Sequence, residues 1–363
     1  MLGLSHSISV LVFILFDYGN NISGLRSTAR SINNHKVVSK NLSNIYLIKL
    51  IFAIVIILVI LCLIFVLSDK MLKYVIPAII LGAITGLNPV WHYTAKENLN
   101  NYSIISIISK IIGLSLIIFF VKEPNHGWIV LIIQLLVNFF LCIYLLIPLF
   151  IQFSWVMPTL KEMKESLAFF TPAFLFSFFS SFHSSASMFI LNLYVGPASI
   201  AYYNGAEKIQ KFFMGLISPA EKALLPAAFK NSNDKKIRKK IEIKSLIALG
   251  TIGTISCFII FIFSEKLVLM ILGKKYGFSA EILKILSIQL PLTAINRIVG
   301  IQRFFSANRD VLLTKIVIIV GIINLITISI VLPKSGVIGI CYTIIATEII
   351  FLSIFTFYNK FNL

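Results

Sequence analysis

The chain has 363 residues, 58% hydrophobic and only 13% charged, with a mean hydropathy of +0.95. Soluble domains carry about 25% charged and about 45–50% apolar residues, so this composition excludes a water-soluble globule. The net charge of +18 does not point to nucleic acid. The basic residues gather in short loops between apolar runs, and no groove-reading or base-stacking element is visible.

A bilayer core ~30 Å thick takes about 20 apolar residues per helix. Eleven such runs follow one another, at 4–24, 45–68, 71–94, 102–121, 127–150, 168–195, 206–229, 242–263, 279–305, 312–332 and 336–358. They are too long for strands and lack period-two alternation. The predicted fold class is therefore all-α: a polytopic membrane protein of about 11 transmembrane helices. Cys62, Cys142, Cys257 and Cys341 each lie in an apolar run, with no CxxC pair and no His at metal spacing. They read as small hydrophobes. The first run is not followed by a small-residue cleavage site, so no cleavable signal peptide is predicted.

Loop charges set the orientation. If the loop at 23–45 is cytoplasmic, that side carries eighteen Lys and Arg, densest at 230–244, and the other side carries seven. The excess marks the cytoplasmic side. The N-terminus is then expected outside and the C-terminus inside, as though one helix were missing from the front. The hydrophilic stretch 152–166 holds Lys161, Glu162, Lys164 and Glu165. It divides an N-terminal lobe of five helices (1–150) from a C-terminal lobe of six (168–363), through a cytoplasmic connecting segment (151–167). With a front helix restored the halves become six and six. Transporters built from two such halves bind their substrate between them.

No catalytic constellation is present. His6, His35, His92, His126 and His183 are scattered, and HExxH, GxSxG and GxxxxGK[ST] patterns are all missing. No cofactor, metal site or direct use of ATP is predicted. Ser180, Ser181, Ser184, Ser185 and Ser187 crowd one helix, a pattern of close helix packing in membranes. Trp128, Trp155, Tyr202 and Tyr203 fall near helix ends and read as an interfacial belt. Trp91, after Asn88 and Pro89, stands apart from it.

The informative residues are charges inside apolar runs, since an ion at the bilayer centre costs about 2.5–3.5 kcal/mol on insertion scales. The run 206–229 holds Glu207, Lys208, Lys211, Glu221 and Lys222. On a helical wheel, Glu207, Lys211, Ser218, Glu221 and Lys222 share a stripe about 100° wide. Such a face can line a water-filled vestibule whose lysines attract an anionic head group. Alternatively, Glu207–Lys211 is an i,i+4 pair and Lys222 reaches to the interface. Lys110, Arg297, Glu348 and Asp17 are the other embedded charges. Lys211, Lys222, Lys110, Arg297 and Lys208 are the candidate substrate-binding residues. Glu207, Glu348 and Asp17 are the candidates for charge balance or cation coupling. Asp17, followed by Gly19, Asn20 and Asn21, also reads as a helix-terminal polar cluster. Arg26 and Arg30 read as topology and lipid-headgroup residues.

Three segments carry a family resemblance. Residues 16–49, with Asp17, Tyr18, Gly19, Arg26 and Arg30, resemble the second-to-third-helix region of the O-antigen and polysaccharide flippases. Residues 87–110 resemble their Pro-x-Trp segment, here Pro89 and Trp91. Residues 189–226 resemble their run of a Tyr pair, Ala-Glu-Lys and two prolines, here Tyr202, Tyr203, Ala206, Glu207, Lys208, Pro219 and Pro226. Ala201 stands where Gly commonly precedes the Tyr pair, and the family's first helix has no counterpart. These flippases belong to the multidrug/oligosaccharidyl-lipid/polysaccharide exporter superfamily.

The resemblance implies two helical lobes around a central cavity in the bacterial cytoplasmic membrane. It implies translocation of an undecaprenyl-pyrophosphate-linked oligosaccharide to the periplasmic leaflet. The partners would be that lipid-linked oligosaccharide, membrane lipids, and polysaccharide polymerases and glycosyltransferases, with no nucleic acid. The rival expectations are a membrane-embedded polysaccharide polymerase or ligase, a cation-coupled drug exporter, and a flippase for a peptidoglycan precursor. The enzyme would need a long outer loop, whereas the outer segments near 196–205 and 264–278 are short.

Overall fold

The computed structural model describes residues 2–98, 100–123, 126–231 and 234–362, and every regular element among them is helical. In chain order they are α1 (Leu2–Asp17), α2 (Leu25–Ser31), α3 (His35–Val66), α4 (Asp69–Leu87), α5 (Val90–Ala95), α6 (Asn100–Phe120) and α7 (Gly127–Gln152). Then come α8 (Leu160–Tyr194), α9 (Pro197–Lys230), α10 (Lys235–Leu272), α11 (Phe278–Ser287), α12 (Gln289–Asn296), α13 (Arg303–Ser306) and α14 (Asp310–Asn362). Widened π-helical turns at Asn20–Gly24 and Arg297–Gln302 precede α2 and α13.

Among the described residues, nine helical stretches are long and apolar enough to cross a bilayer, and the pair α1–α2, bent by 44°, makes a tenth. The 53 residues of α14 are interrupted at Gly336 (φ 57°, ψ −148°). At 1.5 Å per residue an unbroken helix of that length would run about 80 Å, over twice the bilayer core. Gly adopts a positive φ without the Cβ clash that other residues meet there. The break divides α14 into two spans, so all eleven expected runs are accounted for.

Several helices begin well before their apolar runs. The α3 helix starts at residue 35, where the Asn34 side chain accepts a bond from the Val37 amide at 3.3 Å. At the start of α10, Asp234 accepts from the amides of Lys236 (2.9 Å) and Ile237 (3.1 Å). A capping box starts α8: the Thr159 amide donates to Glu162 Oε2 at 3.0 Å, and the Glu162 amide donates back to Thr159 Oγ1 at 3.3 Å. Part of the predicted hydrophilic connection at 152–166 is therefore helix. Capping side chains satisfy the orphan amides of the first turn, so they and not hydropathy decide where a helix begins.

Contacts divide the chain into two compact units, Met1–Phe178 and Phe179–Leu363, with the division inside α8. In the first unit α1 packs along α4, α4 on α7, and α7 on α6. Gly82 and Gly86, four apart on α4, permit the closest approach. A Cβ at Gly82 would lie 2.4 Å from the Ser9 carbonyl oxygen, and one at Gly86 would lie 2.4 Å from Phe16 Cβ. Small residues at this spacing let membrane helices approach backbone to backbone. In the second unit α10 packs on α9, α11 and α12, and α14 on α12. Outward faces are apolar: Ile107, Ile111, Leu114 and Ile118 on α6 are all 58–64% exposed. That surface suits hydrocarbon and would aggregate in water.

Candidate functional site in the helical units

Two polar clusters interrupt the apolar packing, one in each unit. In the second, α8, α9, α11, α12 and α14 enclose a cavity of about 330 Å³. The buried side chains of Gln210, Asn324 and Thr347 line it, together with Glu207, Lys211 and Glu348. Glu348 is the centre of a hydrogen-bond network. Its Oε1 accepts from Thr293 Oγ1 (2.7 Å) and Gln289 Nε2 (3.1 Å), and its Oε2 accepts from Asn296 Nδ2 (2.7 Å). Gln210 Nε2 extends the chain by donating to Gln289 Oε1 at 2.8 Å. Asn296 Nδ2 also donates to the Glu348 carbonyl at 2.8 Å. Three neutral donors thus satisfy a carboxylate inside an apolar helix. Asn324 Nδ2 donates to Thr347 Oγ1, which in turn donates to the Thr343 carbonyl at 2.7 Å.

The predicted polar stripe of α9 is occupied by ion pairs. Lys211 lies 2.9 Å from Glu207, and its side chain is 61% exposed. Arg297, on the π-helical turn after α12, pairs with Glu221 of α9. Beside it Arg303 pairs with Glu242 of α10 at 3.1 Å. Of the candidates, the structure brings Lys211, Glu207 and Glu348 to one cavity. Lys208 and Lys222 are exposed on α9 outside its lining, and Arg297 also lies outside it. Lys110 is exposed on α6 in the first unit. Ser187 donates to Asn324 Oδ1 at 3.5 Å; the side chains of Ser184 and Ser185 lie outside the described residues.

The first unit buries a second cluster where the chain breaks between α1 and α2. Tyr18 and Gly19 both have positive φ, 42° and 78°. A Cβ at Gly19 would meet the backbone of Phe170 and Phe174 on α8 at 2.8 Å, so this turn requires glycine. The buried Asp17 carboxylate accepts from the Asn21 side-chain amide at 2.7 Å and the Asn21 backbone amide at 3.3 Å. This is the helix-terminal cluster anticipated for Asp17. Lys49 of α3 is 1% exposed, donates to the Gly86 carbonyl at 2.6 Å and lies within the field of Asp17. Arg26 is also 1% exposed, with its guanidinium 5.0 Å from the centre of the Phe169 ring. It is therefore buried and does not face lipid head groups. Trp91 and His92 of α5 are fully buried beside it in the fold.

Sequence reasoning missed Lys49, which sits at the start of a strongly apolar run. Its only signal was a lone cation inside the predicted span, the same signal that singled out Lys110.

Residues 2–232 match the sequence family described as "Polysaccharide biosynthesis protein". The match takes in well over half of the chain. The chain belongs to that family. Two relatives, both named "Putative O-antigen transporter", come from Escherichia coli (strain K12) and Shigella dysenteriae. The first is 26% identical over 367 residues, 98% of this chain and 87% of that protein. The second is 25% identical over 349 residues, 94% of this chain and 86% of that protein. Among solved structures, an outward-facing multidrug resistance MATE family transporter of the MOP superfamily superposes with a TM-score of 0.76 at 14% identity, covering 97% of this chain and 84% of that one. An inward-facing MATE family transporter gives 0.68 at 13% identity, covering 100% and 96%. Polysaccharide-family membership thus comes with a MATE-like, all-helical membrane transporter fold, as the sequence had suggested.

Proposed function

We propose that the protein is a flippase. It carries undecaprenyl-pyrophosphate-linked O-antigen or other polysaccharide repeat units from the cytoplasmic to the periplasmic leaflet of the bacterial cytoplasmic membrane. The observation that carries this reading is the polar cavity around Glu348, built inside lipid-facing helices of a polysaccharide-family chain. A sugar head group cannot shed its hydrogen bonds into hydrocarbon, so its passage needs such groups at membrane depth. The relatives' names support the same substrate.

In this reading the exposed Lys208, Lys222 and Lys110 attract the anionic groups of the substrate, while Lys211 and Arg297 are held by Glu207 and Glu221. Glu207 balances Lys211, and Asp17 balances Lys49. Glu348 is held by neutral donors, Gln289, Thr293 and Asn296. The protein works without chemistry of its own, downstream of glycosyltransferases and upstream of a polymerase. The C-terminus is cytoplasmic.

The test is deletion of the gene, with restoration of the 363-residue form from a plasmid and long-chain surface polysaccharide read on a gel. Loss on deletion and rescue by the plasmid are expected, as is reduced rescue by Lys211→Ala. Unchanged polysaccharide on deletion, with loss of dye efflux, would replace this reading by a drug exporter.

A further inference from the structure

The cavity in the second unit has the wrong charge for the substrate's diphosphate. Two carboxylates, Glu207 and Glu348, face one ammonium, Lys211, which is already 2.9 Å from Glu207. The nearby guanidinium of Arg297 is taken by Glu221. An anion entering this space would meet unpaired negative charge, and like-charge juxtaposition discriminates against a ligand more sharply than a missing contact does.

The lining suits a different chemistry. Gln210, Asn324 and Thr347 are 4%, 2% and 7% exposed, so buried polar groups line a cavity inside an apolar bundle. Amide and hydroxyl side chains both donate and accept, and a ring of hydroxyls does the same. A carboxylate offers about four lone-pair sites. Glu348 uses three of them on Thr293, Gln289 and Asn296, which leaves room to accept one more hydroxyl. A hydrogen bond to an ionised acceptor is about twice as strong as a neutral one. Tyr203 and Phe351 add flat apolar wall for the C–H face of a ring. The volume of about 330 Å³ falls at the lower end of the range for small-ligand sites, roughly 300–1,000 Å³, and far exceeds what one ion needs.

We infer that this cavity binds a sugar ring of the translocated head group through its hydroxyls, with Glu348 as the principal acceptor, and that the diphosphate is held elsewhere. The inference rests on the flippase reading and specifies which part of the substrate this cavity recognises.

The test uses the full chain in nanodiscs and two probes. One is the repeat-unit oligosaccharide of the host's own surface polysaccharide, stripped of lipid and phosphate; the other is sugar-free undecaprenyl diphosphate. Affinities are measured for wild type, Glu348→Gln, and Gly321→Leu, which fills the cavity from α14 without changing charge. Each variant is expected to weaken the oligosaccharide at least ten-fold and to leave undecaprenyl diphosphate within two-fold. Thermal unfolding identifies a variant that fails to fold, in which case the other decides. Unchanged oligosaccharide affinity in the folded variants overturns the inference, as does an equal loss of undecaprenyl diphosphate. A wild type that ignores the oligosaccharide, in cells whose polysaccharide export needs the gene, overturns this inference and leaves the flippase reading standing. Export that does not need the gene removes the flippase reading and this inference with it.

Discussion

At the scale of the residue, the charges divide by whether a partner reaches them. Lys211 and Arg297 each meet a carboxylate, and Asp17 and Lys49 share the buried break in the first unit. Lys49 donates to the Gly86 carbonyl at 2.6 Å inside the fold, and leaving such a buried group unpaired costs about 1–3 kcal/mol. Lys49→Met is therefore expected to lower stability by about that much, read as a fall in unfolding temperature in detergent. A double-mutant cycle with Asp17→Asn measures how far the two buried charges are coupled. Lys211 differs: its exposed i,i+4 pair is worth only about 0.2–0.5 kcal/mol. Its replacement is expected to reduce polysaccharide export with little effect on unfolding. The sequence marked Asp17, Glu348 and the α9 stripe as embedded charges, because an ion in an apolar run is conspicuous. It did not show that three neutral donors from α12 surround Glu348. Those residues lie more than fifty positions away along the chain.

At the scale of the element, glycines and caps do what hydropathy cannot. The α1–α4 contact depends on Gly82 and Gly86, since a side chain at either would overlap α1 backbone or Cβ atoms at 2.4 Å. Gly86→Leu must push α1 away, and overpacking of this kind costs about 1–3 kcal/mol or more. It also disturbs the carbonyl that receives Lys49. The expected outcome is a lower unfolding temperature and faster proteolysis in detergent, whereas Gly113→Ala, where α6 meets α7, should be tolerated. The nearest atom to a Cβ at Gly113 would be a Val137 methyl at 3.5 Å, an ordinary contact. The eleven apolar runs were legible because each is as long as the bilayer is thick. The starts of α3, α8 and α10 were not, because polar caps at Asn34, Thr159 and Asp234 carry those helices past their apolar segments.

At the scale of the whole molecule, loop charge is the strongest global signal, with eighteen basic residues on one predicted side against seven on the other. Reporter fusions check it. Green fluorescent protein joined after residue 360 and at the 230–235 loop should fluoresce, and alkaline phosphatase joined near 196 and 275 should be active. The reverse pattern would invert the topology and with it the direction assigned to transport. By itself the sequence determined the all-helical membrane class and the number of spans, because these depend on composition and on local length matched to a fixed bilayer, and its motifs at 16–49, 87–110 and 189–226 carried the family resemblance. Only the tertiary structure decided which charges are paired, that Arg26 and Lys49 are buried, and that Gln210, Gln289, Asn324 and Glu348 meet around one cavity. Those are contacts between distant segments, and a contact of that kind leaves no local pattern to read.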